Sequence, residues 1–125
     1  MTNDDLCYMS AHEALEKFRT LSLSPVEFLD AIIERAESIS HTVNPFADCY
    51  FEEARARAKK SESLYVNRAA NIGALEGIPL AVKDLCEIAG KRTTAGSLIN
   101  AKNICEYTSP HVDRLINEGA NVFAR

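Results

Sequence analysis

At 125 residues, 46% hydrophobic and 26% charged, the chain has the size and make-up of one ordinary globular domain. A net charge of −4, with basic residues no more clustered than Lys59-Lys60 and Lys91-Arg92, speaks against direct nucleic-acid binding. No apolar run approaches the length that spans a bilayer, and the acidic start Met1-Thr2-Asn3-Asp4-Asp5 is unlike a secretory signal.

The first half reads as helices. Ser10-Ala11-His12-Glu13 has capping-box spacing, predicting a short helix to about Arg19. Ser24-Pro25-Val26-Glu27 repeats it, with proline at the first helical position. Val26, Leu29, Ile33 and Ala36 then recur at helical spacing, widened by Phe28, Ile32 and Ile39 into a face that needs a larger body to pack on. Asn44-Pro45 ends this helix and Phe46 to Tyr50 is briefly extended. A third, alanine-rich helix is expected over Phe51 to Asn67, its Glu, Arg and Lys residues forming a solvated face.

A loop over Asn71 to Glu76 leads into an apolar strand from Ile78 that ends on Lys83. Alternation sends Ile78, Leu80 and Val82 to one side and Pro79, Ala81 and Lys83 to the other. Both sides are apolar, the pattern of a strand covered on both faces in an α/β sheet. After a turn at Ile88 to Arg92 comes the hydroxyl-rich run Thr93-Thr94-Ala95-Gly96-Ser97. Ser109-Pro110 opens a further helix, Gly119 suits its C′ position, and Ala120 to Ala124 reads as a second buried strand. A strand is an awkward place for a terminus, and a fragment is the expectation.

Cys7, Cys49, Cys86 and Cys105 are scattered without CxxC spacing and read as reduced, cytoplasmic thiols; His12, His41 and His111 form no metal motif. The residue with the sharpest chemical question is Lys83. An ammonium at a strand's carboxyl end reaches water, pairs with Asp84 or Glu87, or loses its proton and becomes a base. Pattern alone favours the solvent-reaching lysine. Thr93, Thr94 and Ser97 are candidates to bind a polar substrate, against the plainer role of satisfying a turn's own backbone.

The run Gly77-Ile78-Pro79-Leu80-Ala81-Val82-Lys83-Asp84, followed by Ala89-Gly90 and Thr93-Thr94-Ala95-Gly96-Ser97, resembles the amidase signature family. The likeness extends upstream through Asn44-Pro45-Phe46-Ala47 and the helices, and downstream through Val112 to Val122. It implies an α/β fold: the N-terminal part of an α/β/α amidase-signature architecture, a mixed sheet flanked by helices, incomplete in this chain. Residues 1–125 would be one partial domain, about 1–70 outer helices and about 71–125 the first strands and connecting helix.

The implied activity is hydrolysis of a small-molecule amide by a Ser–cis-Ser–Lys triad, with neither metal nor organic cofactor. Lys83 matches the catalytic lysine, a general base that burial must make neutral. Thr94, Gly96 and Ser97 are the substrate-binding candidates. The two triad serines belong to a Gly/Ser-rich segment this sequence does not contain, so the chain by itself is expected to be inactive and to fold poorly. A homodimer is expected of the full-length protein, since dimers are common in the family. Two alternatives stand beside the amidase: an A-subunit-like, glutamine-dependent tRNA amidotransferase, and a non-catalytic truncated paralogue or interaction module.

Overall fold

The computed structural model describes residues 2–125. In chain order it contains α1 (Asn3–Cys7), α2 (Ala11–Arg19), α3 (Pro25–Val43), α4 (Phe51–Val66), β1 (Pro79–Ala81), a 3₁₀ turn (Leu98–Asn100), α5 (Pro110–Asn117) and β2 (Asn121–Ala124). Helix α1 adds an element to the expected order. It is nucleated by Thr2, whose hydroxyl accepts from Asp5 N while the Asp5 carboxylate accepts from Thr2 N at 2.8 Å.

The two capping boxes form by half. Ser10 Oγ accepts from Glu13 N at 3.1 Å, but Glu13 turns its carboxylate toward Lys17. Ser24 Oγ accepts from Val26 N and donates to Glu62 of α4 at 2.5 Å, so this cap also joins two helices. Helix α3 ends where Asn44 takes a left-handed conformation, φ 46°, just ahead of Pro45.

The wide apolar face of α3 is divided between two bodies. Phe28 and Ala31 join Leu6, Ala14, Leu15, Phe18, Leu23 and Tyr65 in one cluster. There the Phe18 ring meets Phe28 edge-on at 5.8 Å and Tyr65 at 5.7 Å. Leu29 and Ile33 face Ala54 and Ala58 of α4 and Phe123 of β2 in a second cluster. The alanines of α4 let that helix lie close, and Asn121 closes the contact by donating to Ala54 O at 2.8 Å.

Strands β1 and β2 pair in parallel, Pro79 opposite Asn121 and Leu80 opposite Val122, with a register shift before Ala81 meets Ala124. Asn121 N donates to Ile78 O at 2.8 Å and Val82 N to Ala124 O at 3.0 Å. On its other side β2 meets the 47–50 segment antiparallel: Tyr50 N donates to Phe123 O at 2.8 Å, and Cys49 bridges Ala124. The extended stretch expected after Pro45 is thus an antiparallel neighbour of β2, and the small sheet is mixed.

Two expectations for β1 are corrected. The strand is three residues long: a register shift between Leu80 and Ala81 interrupts its ladder with β2. Nor is it covered on both faces. Leu80 and Val82 pack on Ile88, Val112, Ile116 and Val122, whereas Ala81 and Lys83 are exposed.

Candidate active site

Lys83 emerges at the carboxyl end of β1 with its backbone held and its side chain free. Val82 N is tied to β2 and Lys83 O accepts from Cys86 N at 2.9 Å. The side chain is exposed, and among the described residues it forms no ion pair or hydrogen bond. Neither neighbouring carboxylate takes it. Glu87 is engaged by Ser109, whose Oγ donates to it at 2.6 Å, a bond that holds the carboxyl below its usual range.

Asp84 turns to the hydroxyl-rich loop instead. Its carboxylate accepts from Thr94 N at 3.0 Å, from the Thr94 hydroxyl, and from Gly96 N at 3.4 Å, while Asp84 O accepts from Ala95 N at 3.0 Å. Burial pushes this carboxyl upward. The Thr94 and Gly96 donors and the positive charge of Arg125 outweigh it and leave Asp84 below its ordinary value. The loop needs this fastening because Ala95 and Gly96 both have positive φ, 50° and 68°. A Cβ on Gly96 would meet nothing within 4 Å, so that glycine serves the backbone conformation and not a close approach.

The three hydroxyls of the loop all bond to other groups of the chain. Thr94 donates to Asp84. Ser97 Oγ accepts from Ile99 N at 3.3 Å and caps the 3₁₀ turn. Thr93 Oγ1 is buried, accepting from Cys105 Sγ at 3.0 Å and from Arg125. The structure therefore brings Thr94 and Gly96 together around Asp84 and holds Ser97 at the loop's exit.

Arg125 is the group that sequence reasoning passed over. It is only 3% exposed. Its guanidinium donates to Arg92 O, Thr93 Oγ1 and Cys86 O, and its Nε lies 3.8 Å from Asp84 Oδ1 with no hydrogen-bond partner among the described residues. One fixed fork thus ties the turn after Lys83 to the start of the Thr93–Ser97 loop. A second arginine braces the periphery: Arg92 binds Asp48 through Nη2 at 2.8 Å and Nε at 3.2 Å. The available signal for Arg125 was a charged residue ending an otherwise apolar strand, the same signal that marked Lys83.

A cleft of about 210 Å³ opens nearby between α4, the 88–91 turn and β2, lined by Tyr50, Glu53, Lys91, Ile88 and Val122. Lys91 Nζ binds both Glu53 oxygens at 2.6 Å and stands 4.4 Å from the centre of the Tyr50 ring. Lys83 and the 94–97 loop lie outside this cleft. Among the described residues no three His, Cys, Asp or Glu side chains gather as metal ligands, and no helix is long and apolar enough to cross a membrane.

Comparison with known proteins agrees with this fold. The chain is 37% identical over 116 residues to the A subunit of the glutamyl-tRNA(Gln) amidotransferase of Sinorhizobium fredii, covering 93% of the chain and 23% of that protein. It is 30% identical over 119 residues to an acylamidase of Rhodococcus erythropolis, covering 95% of the chain and 25% of that protein. Among solved structures, an amidase superposes with a TM-score of 0.82 at 32% identity, over 94% of this chain and 26% of that one. Fatty acid amide hydrolase shares the fold at a TM-score of 0.90 and 24% identity, over 100% of this chain and 22% of that one. The chain therefore spans about a quarter of the length of the relatives it matches. The amidase family model matches residues 27–125, which include β1, Lys83, the Thr93–Ser97 loop and β2, and the chain belongs to the amidase signature family.

Proposed function

We propose that the chain supplies the lysine of an amidase that hydrolyses a carbon–nitrogen amide bond through a Ser–cis-Ser–Lys mechanism, the two serines coming from polypeptide outside these 125 residues. The observation that carries this reading is the placement of Lys83 at the carboxyl end of a parallel strand, where α/β sheets place their ligands. Behind it the Asp84–Thr94–Gly96 bonds support the motif loop. In this reading Lys83 Nζ takes the proton of the bridging serine as the nucleophilic serine attacks the carbonyl, then returns it to the leaving amine.

A base must shed its own proton first, and water around an exposed ammonium opposes that. The covering of Ala81 and Lys83 therefore falls to the polypeptide that brings the serines. The substrate is a small amide, the enzyme uses no cofactor, it works in the cytoplasm and the full-length protein is a homodimer. The test is Lys83→Ala in the enzyme that contains this segment. Turnover of a simple amide is lost while the fold remains, and retained turnover overturns the assignment. The 125-residue chain alone gives no turnover.

The 37% identity to an amidotransferase A subunit favours a second reading, release of ammonia from glutamine for transfer within a multi-subunit enzyme. Glutamine-dependent ammonia release that rises when partner subunits are added selects this reading over the free-standing amidase.

A further inference from the structure

Two chemistry-bearing side chains that the lysine site does not use meet at the start of α5. Cys86 comes from the turn after β1 and His111 is the second residue of α5; Cys86 Sγ and His111 Nε2 are 3.3 Å apart. The thiol stands on a held backbone: Cys86 N donates to Lys83 O at 2.9 Å and Cys86 O accepts from Arg125. Its side chain is half-buried against Val82, Ile88 and Val112, while the imidazole is exposed to solvent. A sulfur nucleophile within reach of an imidazole acceptor is the arrangement that activates a thiol.

The other three cysteines provide the contrast. Cys7 donates to Ala31 O at 3.4 Å, and burial pushes its thiol up. Cys49 is exposed but carries no imidazole, and burial together with Asp48 and Glu37 disfavours its thiolate. Cys105 is buried and donates to Thr93.

We propose that Cys86 is a covalent modification site, a thiol that His111 activates for exchange with a small-molecule disulfide. In the forward step Cys86 Sγ attacks one sulfur of the disulfide and its proton passes to His111 Nε2. A new S–S bond forms, the old one breaks, and the departing thiolate recovers the proton from the imidazolium. Thiol plus disulfide becomes mixed disulfide plus thiol: Cys86 is oxidised, and the small-molecule disulfide is the oxidant, its departing sulfur being reduced to the thiol. This site is independent of any role for Lys83, although the adduct stands at the same turn, on the residue whose N–H holds Lys83 O.

The experiment incubates the enzyme that contains this segment with excess oxidised glutathione near neutral pH, quenches with acid, and follows Cys7, Cys49, Cys86 and Cys105 by peptide mass spectrometry. Cys86 acquires the adduct at least about tenfold faster than the more exposed Cys49. His111→Gln brings Cys86 down to the Cys49 rate while Cys105 stays protected, and concentrated guanidinium chloride erases the difference between sites. Two results overturn the proposal: Cys86 no faster than Cys49 in the native chain, or the same advantage retained in His111→Gln.

Discussion

The Asp84 carboxylate accepts both the backbone N–H and the hydroxyl of Thr94, so the residue that follows Lys83 fixes the loop ten positions downstream. An anion held by backbone donors and an adjacent buried guanidinium is stabilised in its charged form, which connects this contact to acid sensitivity. Because the folded value is depressed, the contribution is fully present above the ordinary aspartate value near ~4 and is lost as pH falls through the lower folded value. Asp84→Asn should lower stability at neutral pH by about 2 kcal/mol and flatten the acid limb below pH ~4. Urea unfolding at several pH values reads both effects.

Arg125 gives a sharper test of the same network. Removing a buried guanidinium leaves the carbonyls of Cys86 and Arg92 without their donor and Asp84 without its neighbouring charge. Arg125→Met should cost about 3 kcal/mol. Arg125→Lys should recover less than half of that loss, because an ammonium cannot reproduce the planar fork. Thermal unfolding of the two variants side by side separates charge from geometry.

Gly119 and Gly90 share a positive φ, 94° and 76°, but differ in surroundings. A Cβ at Gly119 would come within 2.7 Å of Glu76 Cα, whereas one at Gly90 would meet nothing within 4 Å. Gly90→Ala should cost about 1 kcal/mol, the left-handed penalty alone. Gly119→Ala should exceed it by at least about 2 kcal/mol, because the buried Glu76 segment has no room to give. Equal midpoints in urea would contradict the crowding argument.

Tyr65 fastens the same segment from α4, its hydroxyl donating to Glu76 O at 2.9 Å. Burial foremost, with the nearby Glu76 charge, raises its phenol above the ordinary tyrosine value. A raised folded value means stability that is full below the unfolded value of ~10 and lost as pH rises through the folded one. Tyr65→Phe should cost about 1 kcal/mol at neutral pH and weaken the alkaline unfolding limb, as followed by circular dichroism.

What the sequence made legible was what repeats locally. The Val26, Leu29, Ile33, Ala36 spacing located α3, Asn44-Pro45 its end, and Gly119 the close of α5. Helix α1 escaped because one turn carries no period, although Thr2 and Asp5 had cap spacing. Strand β1 read as six residues because apolar alternation continues to Lys83, while the register shift depends on its partner strand. The Asp84–Arg125 contact joins distant residues and leaves no local trace. Lys83 stood out through its motif company, but the exposure of its side chain depends on what packs over the strand.

The pairing of β1 with β2 has a consequence for synthesis. Its partners lie about forty residues apart, with the motif loop and α5 between them. During translation β1 therefore emerges with a bare edge and waits for β2, while α3 and α4 can already pack as neighbours on the ribosome. Pro79, at the first position of β1, cannot donate to a foreign strand during that interval, and the brevity of the strand leaves little to capture. The proline that leaves the outer edge of β1 without a donor thus also protects the nascent chain.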